Sequence, residues 1–449
     1  MKQLFVLIFS VFGFYGFAQV NLSLVYNWND STIIGSAFFD NAYNEVWGYT
    51  QNGREYAIIG STEGTHTFDV TNTQDIKQVD FQKGKFTGQY VIHRDYHDYK
   101  GYLYAVCDEG QSSLQIFDLS GLPDSTHKVY DEDSLFRRSH NIFIDTAAGI
   151  MYSCGGDDQF TVFSLANPTA PKLLLDCGKD VSFWGPIGYI HDVYVENGIA
   201  YLSAGNNGFF IVDFKDPQNP LLLGSLTQYP DQGYNHSGWL HQNGKIYAMA
   251  DETWGMDIKI LDVEDPTDIK VVSQINSNVN TNSIVHNLIF QGDYLFISYY
   301  YDGVYVYDLK DPANPQLAAT YDTSPLPHKK SYEGCWGVYP FLPSGLLVAS
   351  DMQEGLFVFD TKSLPLSSLE AMPTNFDVFP NPFNNHLKIT GIVEDVEVLL
   401  TDISGRIVFQ QQLPAFENTI IFNKEIPEGI YFLKIQGDTF AASKKLIKH

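Results

Sequence analysis

Five histidines recur along the chain at similar intervals, and imidazole is a side chain that binds metal ions and transfers protons near neutral pH. Each histidine stands 10 to 12 residues before an aromatic residue of an apolar segment. Imidazole nitrogens combined with carboxylates suit a transition metal such as Zn, Mn or Fe better than Ca²⁺, which prefers oxygen ligands. The candidate ligand-binding residues, with a divalent metal as the candidate cofactor, are His93, His140, His191, His236 and His286.

Two glutamates complete the candidate set. Glu45 and Glu333 each stand shortly before a Trp-Gly pair, in segments where the histidine is missing. Short acidic hairpins, such as DEG (108–110) and DETWG (251–255), are expected to open on the same face as the histidines. Aromatic rings bind sugars by stacking. A candidate sugar-binding platform on that face comprises Trp184, Trp239, Trp254, Tyr299, Tyr300 and Tyr301.

These patterns assign no catalytic residue. His191 and Asp192 are neighbours on a predicted strand, so their side chains point to opposite faces and do not form a dyad with each other. The sequence contains no GxSxG, HExxH, phosphate-binding glycine loop or EF-hand pattern. The histidines also have a structural interpretation, in which each one bonds to the backbone of a neighbouring unit. The sequence leaves both interpretations open.

A repeat of about 48 residues positions these side chains. Each copy contains four short segments of alternating polarity separated by Gly, Asn and Asp-Pro turns, which is typical of a propeller blade. The first strand of a blade lines the propeller axis, so the histidines are expected to converge there. The last copy has three clear strands, and residues 22–30 are predicted to supply the fourth. The third strands end in Asp69, Asp118, Ser164, Asp213, Asp262, Asp308 and Asp360.

Segments such as AYLSAGNNGFFIVDFKDPQNPLLLG and LFISYYYDGVYVYDLKDPANPQLAA resemble the LVIVD repeat of bacterial surface propellers. The stretch from about residue 20 to 365 is similar to the group called choice-of-anchor B proteins. The resemblance implies a secreted, seven-bladed β-propeller, assigned to residues 19–365. The fold class expected for the chain is all-β, with this propeller followed by a small Ig-like β-sandwich.

The repeat ends before a linker at residues 366–375, and residues 376–449 form alternating strands suited to a small antiparallel sandwich. The motifs PNP (380–382), TDISGR (401–406) and GIYFLK (429–434) resemble the type A C-terminal sorting domain of the type IX secretion system. That resemblance implies contact with the type IX machinery and passage through the outer membrane. It also implies removal of the tail and attachment of the remainder to surface polysaccharide.

The N-terminal residues and the composition point to export. Residues 1–18 contain Lys2, an apolar run and small residues before Gln19, which is the pattern of a secretory signal peptide. No later run is apolar enough for a transmembrane segment. The net charge of -26 argues against nucleic acid and anionic membrane surfaces as partners. Four cysteines permit disulfides, but their spacing does not select a pairing.

The function that these observations favour is a non-enzymatic binding module at the outer cell surface or outside the cell, exported through the periplasm. An extracellular glycan or protein is the expected ligand. The alternative is a hydrolase or lyase acting on an extracellular polymer, with some of His140, His191, His236 and His286 supplying acid, base or metal-ligand groups. A third alternative is a structural component of the cell surface.

Overall fold

The structure is a computed structural model that describes residues 20–362, 364, 377–390, 396–402, 406–414, 419–422, 426–436 and 441–448. The predicted signal peptide (1–18) and linker (366–375) lie outside the described residues. Contacts between Cα atoms divide the chain into two compact units at residue 365.

The first unit is built from short strands. Two strands precede the repeats: β1 (Val20–Asn21) and β2 (Ser23–Trp28). The first four sheets are β3–β6 (Tyr43–Gln51, Arg54–Ser61, Gly64–Asp69, Lys77–Lys83), β7–β10 (Arg94–Tyr99, Tyr102–Cys107, Leu114–Asp118, His127–Glu132), β11–β14 (Asn141–Asp145, Ile150–Cys154, Phe160–Ser164, Lys172–Asp176) and β15–β18 (Asp192–Glu196, Ile199–Ser203, Phe209–Asp213, Leu221–Leu226). A short helix, α1 (Cys177–Asp180), follows β14. The next three sheets are β19–β22 (Asn235–Leu240, Ile246–Asp251, Ile258–Asp262, Lys270–Ile275), β23–β26 (Val285–Gln291, Tyr294–Tyr299, Gly303–Asp308, Gln316–Tyr321) and β27–β29 (Cys335–Tyr339, Leu346–Asp351, Gly355–Asp360).

Seven sheets in the described residues 20–360 follow one another around an axis. The first strand of each sheet contacts the first strand of the next, in the order β3, β7, β11, β15, β19, β23 and β27, and β27 contacts β3 again. Apolar side chains fill the spaces between consecutive sheets. Between the third and fourth sheets, for example, Trp184 is 1% exposed and stacks on Phe160 with 5.4 Å between ring centroids.

The start of the chain completes the last two sheets. β2 pairs antiparallel with β29, with Ser23 opposite Asp360 and Trp28 opposite Leu356. This pairing confirms the prediction that residues 22–30 supply the missing fourth strand of the last repeat. β1 adds a parallel strand to β26, a pairing that the sequence did not indicate. The N-terminal segment therefore joins the two ends of the ring of sheets.

The repeated aspartate has a local structural role. Its carboxylate accepts a hydrogen bond from the backbone N–H two residues later, which closes an Asx turn after the third strand. The bonds run from Lys215 to Asp213 at 2.7 Å and from Lys310 to Asp308 at 2.8 Å. The same bond occurs in the other repeats, where the acceptors are Asp69, Asp118, Ser164, Asp262 and Asp360.

Tight turns connect the inner strands. Asn52-Gly53 and Asn197-Gly198 have positive φ at both residues, as two-residue hairpins with the right-handed strand twist require. At Asn243-Gly244 only the glycine has positive φ, and the Gly244 N–H donates to the carbonyl oxygen of His241. This third turn therefore differs in type from the other two.

The second unit contains two sheets with a shared apolar core, which includes Leu387, Leu400 and Leu433. One sheet has the order β30-β31-β34 and the other the order β33-β32-β35-β36. The strands are β30 (Asp377–Phe379), β31 (His386–Thr390), β32 (Val396–Asp402), β33 (Ile407–Leu413), β34 (Thr419–Ile421), β35 (Gly429–Gln436) and β36 (Ala441–Lys448).

The four cysteines all lie in the described part of the chain, where each is buried and unpaired: Cys107, Cys154, Cys177 and Cys335. Among the described residues, no helix is both long and apolar enough to cross a membrane.

Candidate functional site

Six aromatic side chains from six consecutive sheets form a closed circle around the axis, next to the starts of the first strands. Neighbouring ring centroids are 4.1–5.3 Å apart. The structure thus brings together the five predicted histidines, and it adds one tryptophan from the last sheet. This group, called the histidine ring below, is His93, His140, His191, His236, His286 and Trp336.

One acidic hairpin bonds to two histidines of the ring through their Nδ1 atoms. His93 Nδ1 is 2.5 Å from Glu109 Oε1, and His140 Nδ1 is 2.9 Å from Asp108 Oδ2. Both carboxylates belong to the hairpin between the second and third strands of the second sheet, so this hairpin opens on the same face as the ring. A carboxylate that accepts from Nδ1–H fixes the imidazole tautomer and leaves Nε2 as a free lone-pair donor.

Other groups hold the remaining histidines. His286 Nδ1–H donates to the carbonyl oxygen of Trp336 at 2.5 Å, and His191 Nδ1 is 3.1 Å from the Tyr234 hydroxyl. His191 Nε2 lies 2.9 Å from His140 Nε2. The close approach of two Nε2 atoms fits the ligand interpretation, while the Nδ1 contacts also fit the structural interpretation.

Burial favours neutral imidazoles in most of the ring. It lowers the pKa of the four histidines other than His93, to about 3 for His286 and well below the ordinary value for His191 and His236. Burial also acts to lower the pKa of His93, but the hydrogen bond and charge of Glu109 raise that pKa above its ordinary value. The charged form is thus favoured at one position of the ring.

The acids behind the ring differ from one another. Burial alone would raise the pKa of Asp108 and of Glu109, but hydrogen bonds from His140 and His93 lower both pKa values. Burial raises the pKa of Glu252 to about 7, although the Tyr300 hydroxyl donates to this carboxyl at 2.6 Å.

A polar chamber lies next to the histidine ring, and in most sheets the residue that follows the ring histidine on the first strand lines it. Its volume is about 60 Å³, enough for several water molecules. Asn287 Nδ2 donates to Glu45 Oε2 at 2.8 Å, and the Ile142 N–H donates to Asp95 Oδ2 at 2.7 Å. Gly337 leaves room for the Glu45 carboxylate, because a Cβ there would lie 1.9 Å from Glu45 Oε1. The polar residues of this axial chamber are Glu45, Asp95, His97, Asn141, Asp192, Ser237 and Asn287.

Comparisons with known proteins agree with this architecture. The LVIVD repeat family model matches residues 187–228 and 284–323, and the secretion system C-terminal sorting domain model matches residues 377–449. No functionally curated protein matches the chain. The β-propeller domain of a protein from Myceliophteria thermophila is 12% identical, with a TM-score of 0.52 over 76% of this chain and 99% of that chain. A Lactobacillus plantarum protein is 12% identical, with a TM-score of 0.49 over 84% of this chain and 96% of that chain.

The chain carries LVIVD repeats and a type IX secretion sorting domain. Its all-β first unit is a β-propeller, as the Myceliophteria thermophila domain shows at the level of fold. The sorting domain links the protein to the type IX secretion machinery and suggests export to the cell surface or the extracellular space.

Most of the predicted sugar-binding platform is core of the propeller. Four of the six side chains are buried in the interior of the first unit, so they cannot stack on a sugar at the surface: Trp184, Tyr299, Tyr300 and Tyr301. Trp239 belongs to an aromatic layer at the other end of the axial chamber, where its ring centroid is 4.7 Å from that of Tyr194.

The two predicted glutamates do not join the histidine ring. Glu45 lines the axial chamber, because it lies one residue further along its strand than the position that faces the ring. Glu333 lies before its strand, accepts from the Tyr301 hydroxyl at 2.7 Å and pairs with Lys329 at 2.8 Å. The Trp-Gly pairs are therefore not structurally equivalent, although both follow a glutamate in the sequence.

Sequence reasoning missed the chamber and Trp336. The available signal was the short polar residue after most of the histidines, such as Asn141 and Asp192, which is the position that lines the chamber. In the second sheet Arg94 separates His93 from Asp95, so the pattern is interrupted there. Trp336 replaces a histidine with a different residue type and gave no repeat signal.

We expect Glu45→Gln to stabilise the propeller more at pH 8 than at pH 5. Burial, and then the charge of Asp192, raise the pKa of Glu45 to about 8, while the unfolded chain titrates near 4.3. Ionisation of Glu45 therefore costs folding free energy that grows as pH rises from about 4 to about 8. Glutamine removes this cost, whereas Asp95 and Asp192, which face Glu45, continue to titrate.

Thermal unfolding at the two pH values measures this effect, and we expect a Tm higher by several degrees at pH 8 and little change at pH 5. The control is Glu264→Gln, because Glu264 is an exposed carboxylate paired with Lys245. Equal Tm changes at both pH values for Glu45→Gln would show that Glu45 is ionised in the folded protein at pH 5.

Proposed function

We propose that the protein is a secreted binding module that the type IX system exports to the cell surface. In this proposal the seven sheets are the blades of a seven-bladed propeller of the choice-of-anchor B kind. The second unit is an Ig-like sandwich that acts as the sorting domain, and residues 1–18 are a signal peptide. The sorting-domain match and the N-terminal sequence support the export route.

One observation supports ligand binding at the histidine ring. His93, His140, His191 and His286 are all held through Nδ1, and their rings belong to one circle around the axis, beside the hairpin that carries Asp108 and Glu109. The side chain of His93 is 26% exposed and that of Asp108 is 23% exposed, so the entrance is accessible to a ligand. The expected ligand is an extracellular glycan or protein.

Export is tested by deleting residues 377–449 from the protein and expressing this variant in the cell that naturally makes the protein. We expect the intact protein to appear at the surface or in the medium, and the deletion variant to remain in the periplasm. Surface exposure of the deletion variant would contradict the type IX route.

Binding is tested by screening the propeller against glycans and surface proteins from the producing cell. His93→Gln should weaken binding at least about tenfold, since one hydrogen bond to a charged group contributes about 1.5–3 kcal/mol. His127→Gln is the matched control, because His127 is exposed on the outer strand β10. Equal binding by both variants would place the ligand elsewhere, and conversion of the ligand to product would support the hydrolase or lyase alternative.

A further inference from the structure

We infer that the histidine ring contains a binding site for one divalent transition-metal ion, formed by His191, His236 and Glu252. The inference rests on the proposed function, because it names the chemistry through which the same face would bind a ligand. Ligand atoms of these three residues all lie within 4.8 Å of one another. Two imidazoles and one carboxylate form a set that suits Zn²⁺ and its neighbours in the first transition row.

The distances in this group fit an ion better than a hydrogen bond. His236 Nε2 and Glu252 Oε2 are 3.9 Å apart, which is too long for a hydrogen bond. Two ligands of a tetrahedral Zn²⁺ at about 2.0–2.1 Å lie about 3.4 Å from each other. A small closing movement of the Glu252 side chain, which is 13% exposed, would bring both atoms to one ion.

Hydrogen bonds hold the His236 side chain less firmly than they hold the other histidines of the ring. This side chain is almost completely buried, and its Nδ1 atom makes no hydrogen bond of normal geometry, although the backbone of His286 interacts with this imidazole and acts to raise its pKa. A buried polar group without a partner costs about 1–3 kcal/mol. The other histidines of the ring have well-formed Nδ1 hydrogen bonds, so His236 is the ring member that hydrogen bonds fix least, and its Nε2 atom faces Glu252.

Glu252 has the support that a metal-binding carboxylate needs. Its Oε1 atom accepts from the Tyr300 hydroxyl at 2.6 Å, and Oε2 is the atom that faces His236. Hydrogen bonds of this kind orient ligating carboxylates in known metal sites. Tyr300 is itself buried and in contact with His286, so its hydroxyl keeps the Oε2 atom of Glu252 turned towards His236.

The hydrogen bonds that His191 makes without a metal are compatible with metal binding at its Nε2 atom. His140 donates from Nδ1 to Asp108, so its Nε2 accepts, and His191 Nε2–H donates to it across 2.9 Å. His191 Nδ1 then accepts from the Tyr234 hydroxyl. When a metal binds at Nε2, the proton of His191 moves to Nδ1, and the Tyr234 oxygen becomes the acceptor.

A second group, His93, Asp108 and His140, has similar spacing but a different role. Its carboxylate already accepts from His140 Nδ1, which makes Asp108 an outer support rather than a free ligand. Three protein ligands at the first group leave a tetrahedral ion one further position, which an oxygen of an extracellular ligand can occupy.

The test uses the full mature protein with Zn²⁺ alone in calorimetry and Co²⁺ alone in visible absorption. We expect one equivalent of Zn²⁺ with a Kd below about 1 μM, and the intense absorption of four-coordinate Co²⁺. Glu252→Gln and His236→Gln should each weaken Zn²⁺ binding at least about 100-fold, while Asp108→Asn should change it less than about threefold. Near-UV circular dichroism checks the fold of each variant, and Glu252→Gln with the Co²⁺ spectrum suffices where His236→Gln does not fold.

Binding of no metal by the wild type at 100 times that Kd, about 100 μM, would overturn the inference. A larger effect of Asp108→Asn than of Glu252→Gln would also overturn it, because the metal would then lie in the second group. Extracellular ligand binding is measured separately, with and without a chelator. Ligand binding that depends on His93 but is insensitive to the chelator leaves the proposed function standing and refutes the metal site as its basis.

Discussion

Replacing Lys259 with methionine should destabilise the propeller by about 3–5 kcal/mol, because it leaves a buried carboxylate without its counter-charge. Lys259 Nζ lies 2.9 Å from Asp251 Oδ2, and both side chains are 0% exposed. The ammonium group also donates to the carbonyl oxygens of Asp231 and Asp257. Methionine matches the length of the lysine stem, so the expected effect arises from lost charge and hydrogen bonds rather than from a cavity.

Urea unfolding followed by tryptophan fluorescence measures the loss. Lys245→Met is the matched control: Lys245 pairs with Glu264 at 2.6 Å, but both side chains are more than half exposed. Such surface pairs contribute about 0–1 kcal/mol, so the control should unfold nearly as the wild type does. Adding Asp251→Leu to Lys259→Met should recover part of the lost stability, since the unpaired charge is then removed. If Lys259→Met and Lys245→Met lowered the free energy of unfolding equally, the buried pair of Lys259 and Asp251 would not stabilise the propeller as expected.

Much of the fold was predictable because it is encoded locally and repeatedly. An aspartate such as Asp213 closes the turn after the third strand through its own side chain, and Asn197-Gly198 forms its hairpin through positive φ. Seven copies of such a pattern identify the sheets without any knowledge of distant contacts. The pairing of residues 22–30 with the last sheet was also predictable, because the last copy lacked its fourth strand and a sheet edge needs a partner.

The remaining features depend on contacts that no local pattern contains. Lys259 alternates with apolar residues in IKILD and would ordinarily be placed at the surface, but the third strand is covered by sheets on both sides. Its partner Asp251 lies in the preceding strand and is brought into place by the hairpin. The position of Glu45 was hard to predict for a similar reason. One residue along the strand separates a side chain at the histidine ring from a side chain in the axial chamber.

The histidine ring and the axial chamber are formed by consecutive residues of the same strands. In the third to sixth sheets the histidine faces the ring, and the next residue, such as Asp192 or Asn287, lines the chamber. Two layers of different chemistry therefore stack along the axis: mostly neutral imidazoles at the open end, and buried carboxyls beneath them.

Deleting residues 20–30 should open the ring of sheets and lower the Tm of the propeller by more than about 10 °C. The deletion removes β1 and β2, so β29 loses its antiparallel partner and β26 loses its parallel one. It also removes Trp28, whose ring lies 4.8 Å from that of Phe68 and 5.4 Å from that of Tyr43. Because the exposed edge of β29 is a template for pairing with another chain, we also expect dimers or larger aggregates in size-exclusion chromatography.

A synthetic peptide of residues 20–30, added in excess, should restore both the monomer and the Tm, since it can pair with the free edge of β29 as an added strand. In the segment Leu356 to Asp360, the amides of β29 that bond to β2 rather than to β28 should exchange fast in the deletion variant and slowly again with the peptide. Leu24→Ser is the control, because Leu24 lies on the same strand with its side chain 40% exposed and should leave the Tm nearly unchanged. A deletion variant that remains monomeric with unchanged exchange at β29 would show that the ring is held closed by contacts between its first strands alone.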